Sequence, residues 1–272
     1  MKKLGKSNPE KFIIHTQGGL MYKAYSLRVE SNIFREFLDE GKAINKNNNL
    51  AAREGLDAFC DDDGSLFAKK IMDDWFPKIN AKVFISHSHK DEELAICLSG
   101  WLGHKLGISS FIDSCVWGYS DKLLKKFDKN FCLKDDGYYS YENRNRTTSH
   151  VNMMLATSLN KMIDQCECII FLNTPNSISC KGCIEKEGTE SPWIYAEIEA
   201  TRLLRTNIPS RHNMFKKAME ARADALDEAM APIKYDLDMK HLILLNGDHM
   251  RKWNNCNKTG DNSLDYLYEM KL

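Results

Sequence analysis

Ser191-Pro192-Trp193-Ile194-Tyr195-Ala196-Glu197 puts a carboxylate where carboxylates are unfavourable. Ser191 is a helix-capping residue type and Pro192 suits the first helical position, so a helix is expected to begin here. At about 100° per residue, Trp193, Ala196, Ala200, Leu203 and Leu204 share one apolar face, and Glu197 falls in its middle. Glu199 falls on the polar side, three residues before Arg202, where a solvated ion pair is expected. A carboxylate inside an apolar stripe is costly unless something binds it. Either a buried Arg or Lys pairs with Glu197, or Glu197 meets a ligand and acts on it.

A second group of candidates lies between residues 86 and 119. Lys82-Val83-Phe84-Ile85-Ser86 is a short β-rich run, and His87-Ser88-His89-Lys90-Asp91 follows it. Ser86 and Ser88 at a strand-to-helix turn could hold a phosphate or a ribose near a helix N-terminus. The alternative for Ser88 is a capping box with Asp91, in which its hydroxyl serves only the helix. Asp113 ends another β run, Ile108-Ser109-Ser110-Phe111-Ile112, where it could bind a ligand or brace the following loop. Trp117 and Tyr119 flank Gly118 in that loop.

These residues need a scaffold to bring them together, and the pattern supplies one. Leu94, Ala95, Leu98, Trp101, Leu102 and Leu106 recur at helical spacing after Asp91, and Gly107 can end that helix. Strand, helix and strand in that order make a βαβ unit with a parallel pair. Further helices are expected at Asp121 to Phe127, Ser149 to Gln165 and Asn213 to Met230. Further strands are expected at Cys168-Ile169-Ile170-Phe171-Leu172 and His241-Leu242-Ile243-Leu244-Leu245. This alternation predicts an α/β, flavodoxin-like doubly wound parallel sheet. Ligands in such sheets sit at the carboxyl ends of the strands. That edge gathers Ser86 to Lys90, Asp113, Asn173 and the helix of Glu197. The expected organisation is a small, mainly helical N-terminal extension over residues 1–78, one domain over 79–250, and a tail over 251–272 packing on it. The acidic turn Asp61-Asp62-Asp63-Gly64 lacks the ligand spacing of a calcium loop and reads as a plain turn.

Composition narrows the partners. Lys+Arg and Asp+Glu both number 38, so the formal net charge is zero and no nucleic-acid or anionic-membrane partner is expected. No apolar run approaches the roughly 20 residues that span a bilayer. The N-terminus, Met1-Lys2-Lys3-Leu4-Gly5-Lys6-Ser7-Asn8, has no apolar h-region, and nine cysteines then suggest reduced thiols in a cytoplasm. Cys180 and Cys183 form a CxxC pair, but Cys166 and Cys168 do not form a second, so buried thiols are expected rather than zinc.

The same residues carry a family likeness. Val83-Phe84-Ile85-Ser86-His87-Ser88 with Asp91 resembles the first strand and loop of a TIR (Toll/interleukin-1 receptor) domain. Phe111-Ile112-Asp113 with Gly118 resembles its second strand and BB loop, and Trp193 with Glu197 matches the W-x-x-x-E pattern of enzymatic TIR domains. The likeness spans roughly residues 79–250 and is greatest to stand-alone bacterial TIR proteins of antiviral defence systems such as Thoeris. Two departures are visible. The segment 114–148 is longer than in a minimal TIR domain, and the loop after Ser86 carries Ser88 and Lys90 but no arginine.

The resemblance implies cleavage of NAD+ between nicotinamide and ribose, with Glu197 as the required glutamate. NAD+ is then substrate, and no cofactor or metal is implied. A carboxylate beside an oxocarbenium-like ribose stabilises its charge, as in glycoside hydrolysis. Ser86, His87, Ser88, Asp113, Trp117, Tyr119 and Trp193 become candidate substrate contacts. Trp193 stacks on nicotinamide or belongs to the core. Trp117 and Tyr119 cover a base or serve homotypic TIR–TIR contacts. The expected partners are other copies of the chain and a separate effector protein that senses the product. The rival readings are a non-catalytic TIR scaffold acting by homotypic interaction, which has no need of Glu197, and a nucleoside deoxyribosyltransferase-like enzyme.

Overall fold

The computed structural model describes residues 20–30, 32–48, 66–76, 79–178, 188–212 and 235–272. Its centre is a five-stranded, all-parallel sheet. The strands are β1 (Lys23–Arg28), β2 (Val83–Ser86), β3 (Ser110–Ile112), β4 (Cys168–Leu172) and β7 (Ile243–Asn246), in spatial order β3-β2-β4-β1-β7. Every residue of β2 and β4 is buried. Parallel strands covered on both faces read as unbroken apolar runs, which is why Val83-Phe84-Ile85 and Cys168-Ile169-Ile170-Phe171-Leu172 announce themselves in the sequence. A two-stranded antiparallel pair, β5 (Gly188–Thr189) and β6 (Tyr235–Asp236), stands apart from the sheet.

Helices flank the sheet in two packed groups. In one, α1 (Leu38–Asn48) lies on α3 (Glu92–Leu106), and Trp101 of α3 meets Trp253 of α7 (Gly247–Asn254) edge to face. In the other, α5 (Tyr141–Gln165) contacts α2 (Ala68–Trp75), α4 (Ser114–Phe127) and α6 (Pro192–Leu203). The α1–α3 contact is close because glycines face backbone: a Cβ at Gly100 of α3 would lie 2.6 Å from the Gly41 nitrogen of α1, and 2.1 Å from the carbonyl oxygen of Phe37 just before it. Gly107 ends α3 in the left-handed conformation, as its position suggests. The architecture is a doubly wound α/β fold.

The boundary at residue 78 does not divide this molecule. Strand β1, from the N-terminal segment, sits inside the sheet between β4 and β7. Tyr25, Phe37, Ile71 and Trp75 belong to the same hydrophobic core as Phe84, Leu98 and Ile170. Residues 251–272 also pack on that core, through Trp253 in α7 and Leu264 and Leu267 in α8 (Asp261–Glu269). The segment 114–148 is likewise largely regular. Helix α4 starts at Ser114 directly after β3, with Asp113 as its N-cap, so the expected loop and short helix at Asp121 are one continuous helix. Helix α5 starts at Tyr141 rather than near Ser149. The helix expected from Asn213 to Met230, the turn at Asp61 to Gly64, and Cys180 and Cys183 lie outside the described residues. Among the described residues no helix is long and apolar enough to cross a membrane.

Candidate functional site

The strand order reverses between β2 and β4. From β2 the chain steps to β3 on one side, and from β3 it crosses back to β4 on the other. Such a switch point opens a crevice at the carboxyl ends of the two strands. Ser86 is the last residue of β2, His87 follows it, Asp113 follows β3, and Glu197 projects from α6, which comes after β4.

Helix α6 forms for the reasons its sequence suggests. Ser191 Oγ accepts from the Ile194 N–H at 3.3 Å and Pro192 occupies the first turn. Its buried face is rotated from the expected one: Ile194, Glu197, Ile198, Ala200 and Thr201 are inside, whereas Leu203 is exposed. The rotation follows from a small second core in which Ile194 and Ile198 pack on Phe171 of β4. Glu197 lies on the buried face either way. Glu199 pairs with Arg202 at 3.2 Å, on the other side.

Four of the expected site residues form one cluster. Ser86, His87, Asp113 and Glu197 are each no more than 2% exposed. Ser86 Oγ donates to Glu197 Oε2 at 2.6 Å, and the buried Glu197 carboxyl meets that of Asp113, a hydrogen bond that forms when one of the two carries a proton. Asp113 braces the turn after β2 and caps α4: its Oδ2 accepts from the His87 N–H at 3.2 Å and its Oδ1 from the Ser114 N–H at 2.8 Å. His87 Nδ1 lies against Asp113 Oδ1. No Arg or Lys pairs with Glu197 among the described residues, so the reading of a glutamate neutralised by a buried cation is not what the fold provides.

Burial sets the protonation of this cluster. It pushes Glu197 well above the ordinary 4.5, and the Asp113 charge pushes the same way against the Ser86 hydrogen bond and His87. Burial also raises Asp113, opposed by the backbone N–H of His87 and by Glu197 and Ser114. The two carboxyls behave as a pair that keeps a proton. Asp113, with two backbone donors at a helix start, is better suited to the charge, and Glu197, with one hydroxyl donor, to the proton. Burial lowers His87 to about 4, so its ring is neutral at pH 7.

The remaining candidates are placed differently. Ser88 is half-buried and makes no side-chain cap, so the capping box does not form. Its intended partner, Asp91, instead accepts from Thr174 Oγ1 at 2.5 Å and Asn176 Nδ2 at 2.7 Å, tying the loop after β2 to the loop after β4. Trp193 is half-buried against the main core. Trp117, Gly118 and Tyr119 fall within the span of α4, and their side chains lie outside the described residues. Cys166 and Cys168 are buried thiols, the first pushed up to about 12 by that burial. Among the described residues no cluster of His, Cys, Asp and Glu could hold a metal ion.

Two residues at this edge were not singled out from sequence. Ser26 and Arg28 end β1, the strand beside β4. With the Asn173 amide oxygen turned toward them, it accepts from Ser26 Oγ at 2.9 Å and from Arg28 Nε and Nη2 at 3.0 and 3.1 Å. The reverse orientation lets Asn173 Nδ2 donate to Ser26 Oγ at 2.9 Å but sets amide N–H against guanidinium N–H, so the hydrogen-bond network favours the oxygen toward Arg28. Comparison with protein-family models, curated proteins and solved structures gave no match.

Proposed function

We propose that this chain is a TIR-type NAD+ glycohydrolase or ADP-ribosyl cyclase, cleaving the nicotinamide–ribose bond to make an ADP-ribose-derived signal in cytoplasmic antiphage immunity. The observation that carries the reading is Glu197, a carboxyl without a cationic partner among the described residues, held by Ser86 at the switch point of a doubly wound sheet. The likeness of Val83 to Ser88, Phe111 to Asp113 and Trp193 with Glu197 to enzymatic TIR domains supports the same activity.

The chemistry follows from charge. Departing nicotinamide leaves positive charge on the ribose, and an ionised Glu197 beside it stabilises that charge in a medium of low dielectric. In the closed cluster Glu197 favours its proton. The pyridinium of NAD+ is cationic, so its arrival favours the carboxylate. Ser86 Oγ then holds one carboxylate oxygen, and loss of the proton shared with Asp113 leaves the other for a ribose hydroxyl. Water as acceptor gives ADP-ribose, and an internal nucleophile gives a cyclic isomer. Either product suits a separate effector that senses it, with other copies of this chain as partners in assembly.

One observation favours a second reading. All four residues are shut away from solvent, which also fits a polar brace inside a non-catalytic scaffold that works by homotypic contact. The two separate in one experiment: incubation of the purified chain with NAD+, with mass analysis of all products, parent beside Glu197→Gln. Nicotinamide release by the parent alone supports the enzyme. Intact NAD+ at high protein concentration supports the scaffold.

A further inference from the structure

The strand supplied by the N-terminal segment brings a guanidinium to the ligand edge. Ser86 of β2 stands opposite Phe171 of β4, and Phe171 opposite Ser26 of β1. Residues in register on parallel neighbours face the same side of a sheet, and residues two apart on one strand do too. Phe171 packs on Ile194 and Ile198 of α6, and Ser86 reaches Glu197 of α6. Ser26 and Arg28 therefore face the side of the sheet that carries Glu197. Asn173, two residues after Phe171, faces it as well, and its contact with Arg28 agrees. Arg28 is exposed, at the last position of β1.

Two strand spacings of about 4.8 Å and two residues of about 3.3 Å set the Arg28 Cα about 12 Å from the Ser86 Cα. An arginine side chain spans part of that separation, and the bonds from a nicotinamide ribose to its 5′-phosphate span the rest. The planar guanidinium, held along its Nε–Nη2 edge by Asn173, is shaped for bidentate contact with phosphate oxygens.

We infer that Arg28, oriented by Asn173, binds the pyrophosphate of the substrate, which makes the substrate class a dinucleotide rather than a nucleoside. This rests on the glycohydrolase reading for the reaction, but not for the binding. The test is calorimetric titration of the full chain with ADP-ribose, and with adenosine as a phosphate-free probe, for parent, Arg28→Gln and Arg28→Lys. The side chain is exposed, so both variants are expected to melt with the parent. Arg28→Gln should weaken ADP-ribose binding about tenfold to a hundredfold, the loss expected of a charged hydrogen bond. Arg28→Lys should lose less, and adenosine should bind all three alike. With NAD+ the same change should raise KM and leave kcat within about threefold, while turnover of nicotinamide riboside stays unchanged. Parental ADP-ribose affinity in Arg28→Gln, equal loss for adenosine, or a parent that does not bind ADP-ribose overturns the assignment. ADP-ribose binding that depends on Arg28 in a protein that leaves NAD+ intact keeps the anion site and rejects the glycohydrolase. NAD+ cleavage by Arg28→Gln at parental KM does the reverse.

Discussion

Replacing Glu197 by Gln removes the ability to ionise and almost nothing else. The amide oxygen can still accept from Ser86 Oγ, which the carboxyl now does at 2.6 Å. What disappears is the ability to ionise beside a developing cation, and loss of one such stabiliser lowers turnover by roughly 10²-fold or more, about 2.7 kcal/mol. The same change acts oppositely on stability. The folded Glu197 titrates above its ordinary 4.5, so its contribution to stability is complete below that value and is lost as pH rises toward the raised one. The slope is about 1.4 kcal/mol per pH unit for each such group. Gln does not titrate, so parent and variant should unfold at similar denaturant concentrations near pH 4, and the variant should become the more stable as pH rises toward 8. The assays are NAD+ turnover by product mass and urea unfolding across that range. Parental turnover in the variant refutes the catalytic role. A stability difference that does not change with pH refutes the buried, protonated carboxyl.

Other outcomes follow from the same geometry. In the parent, kcat/KM for NAD+ should rise with pH above 4.5, because it reports the free enzyme's ionisation, and a flat profile would detach activity from Glu197. Gly100→Ala should destabilise the fold by about 1–3 kcal/mol, since its Cβ would sit 2.1 Å from the Phe37 carbonyl oxygen and force α1 from α3; an unchanged unfolding midpoint would contradict that contact. Turnover per molecule should fall on dilution, because a cluster this buried needs an assembly or trigger to open it, and full activity in a dilute monomer would exclude that. Gly118 lies within the span of α4, so Gly118→Pro should break that helix and lower the unfolding midpoint, and an unchanged midpoint would contradict a continuous α4.

Local signals were legible and long-range ones were not. Ser191, Pro192 and Gly107 act on neighbouring backbone, and each stands where its type suggests. Glu197 was legible because the helical period alone sets it opposite Glu199. The face around it was less so, because contact with Phe171 on another element decides which residues turn inward and leaves Leu203 outside. The Ser88–Asp91 box failed for the same reason: Thr174 and Asn176, far along the chain, take the Asp91 carboxylate. Strand β1 was missed because Lys23-Ala24-Tyr25-Ser26-Leu27-Arg28 has little β-branched content, and it pairs with strands that lie more than a hundred residues away. With it went Arg28 and the core role of residues before 78. By sequence Asp113 ends a strand before a loop, whereas in the fold its own side chain starts a helix at the next residue.

Burial divides the work of this edge in two. Glu197, Asp113, His87 and Ser86 are enclosed, and Arg28 is exposed on the same side of the sheet. On the proposed reading, a dinucleotide would meet Arg28 before anything moves, and its nicotinamide ribose would reach Glu197 only after the cluster opens. Opening relieves the desolvation that holds the Glu197 proton, and the cationic ring favours its loss further. On that reading access and ionisation are one event, because the burial that closes the cluster also holds the Glu197 proton. Arg28→Gln should then lower kcat/KM uniformly across pH and leave the shape of the profile intact, since encounter does not titrate with Glu197. Glu197→Gln should abolish the profile. If Arg28→Gln instead shifts the pH at which activity rises, the cation acts on Glu197 directly, and the separation of encounter from ionisation is wrong.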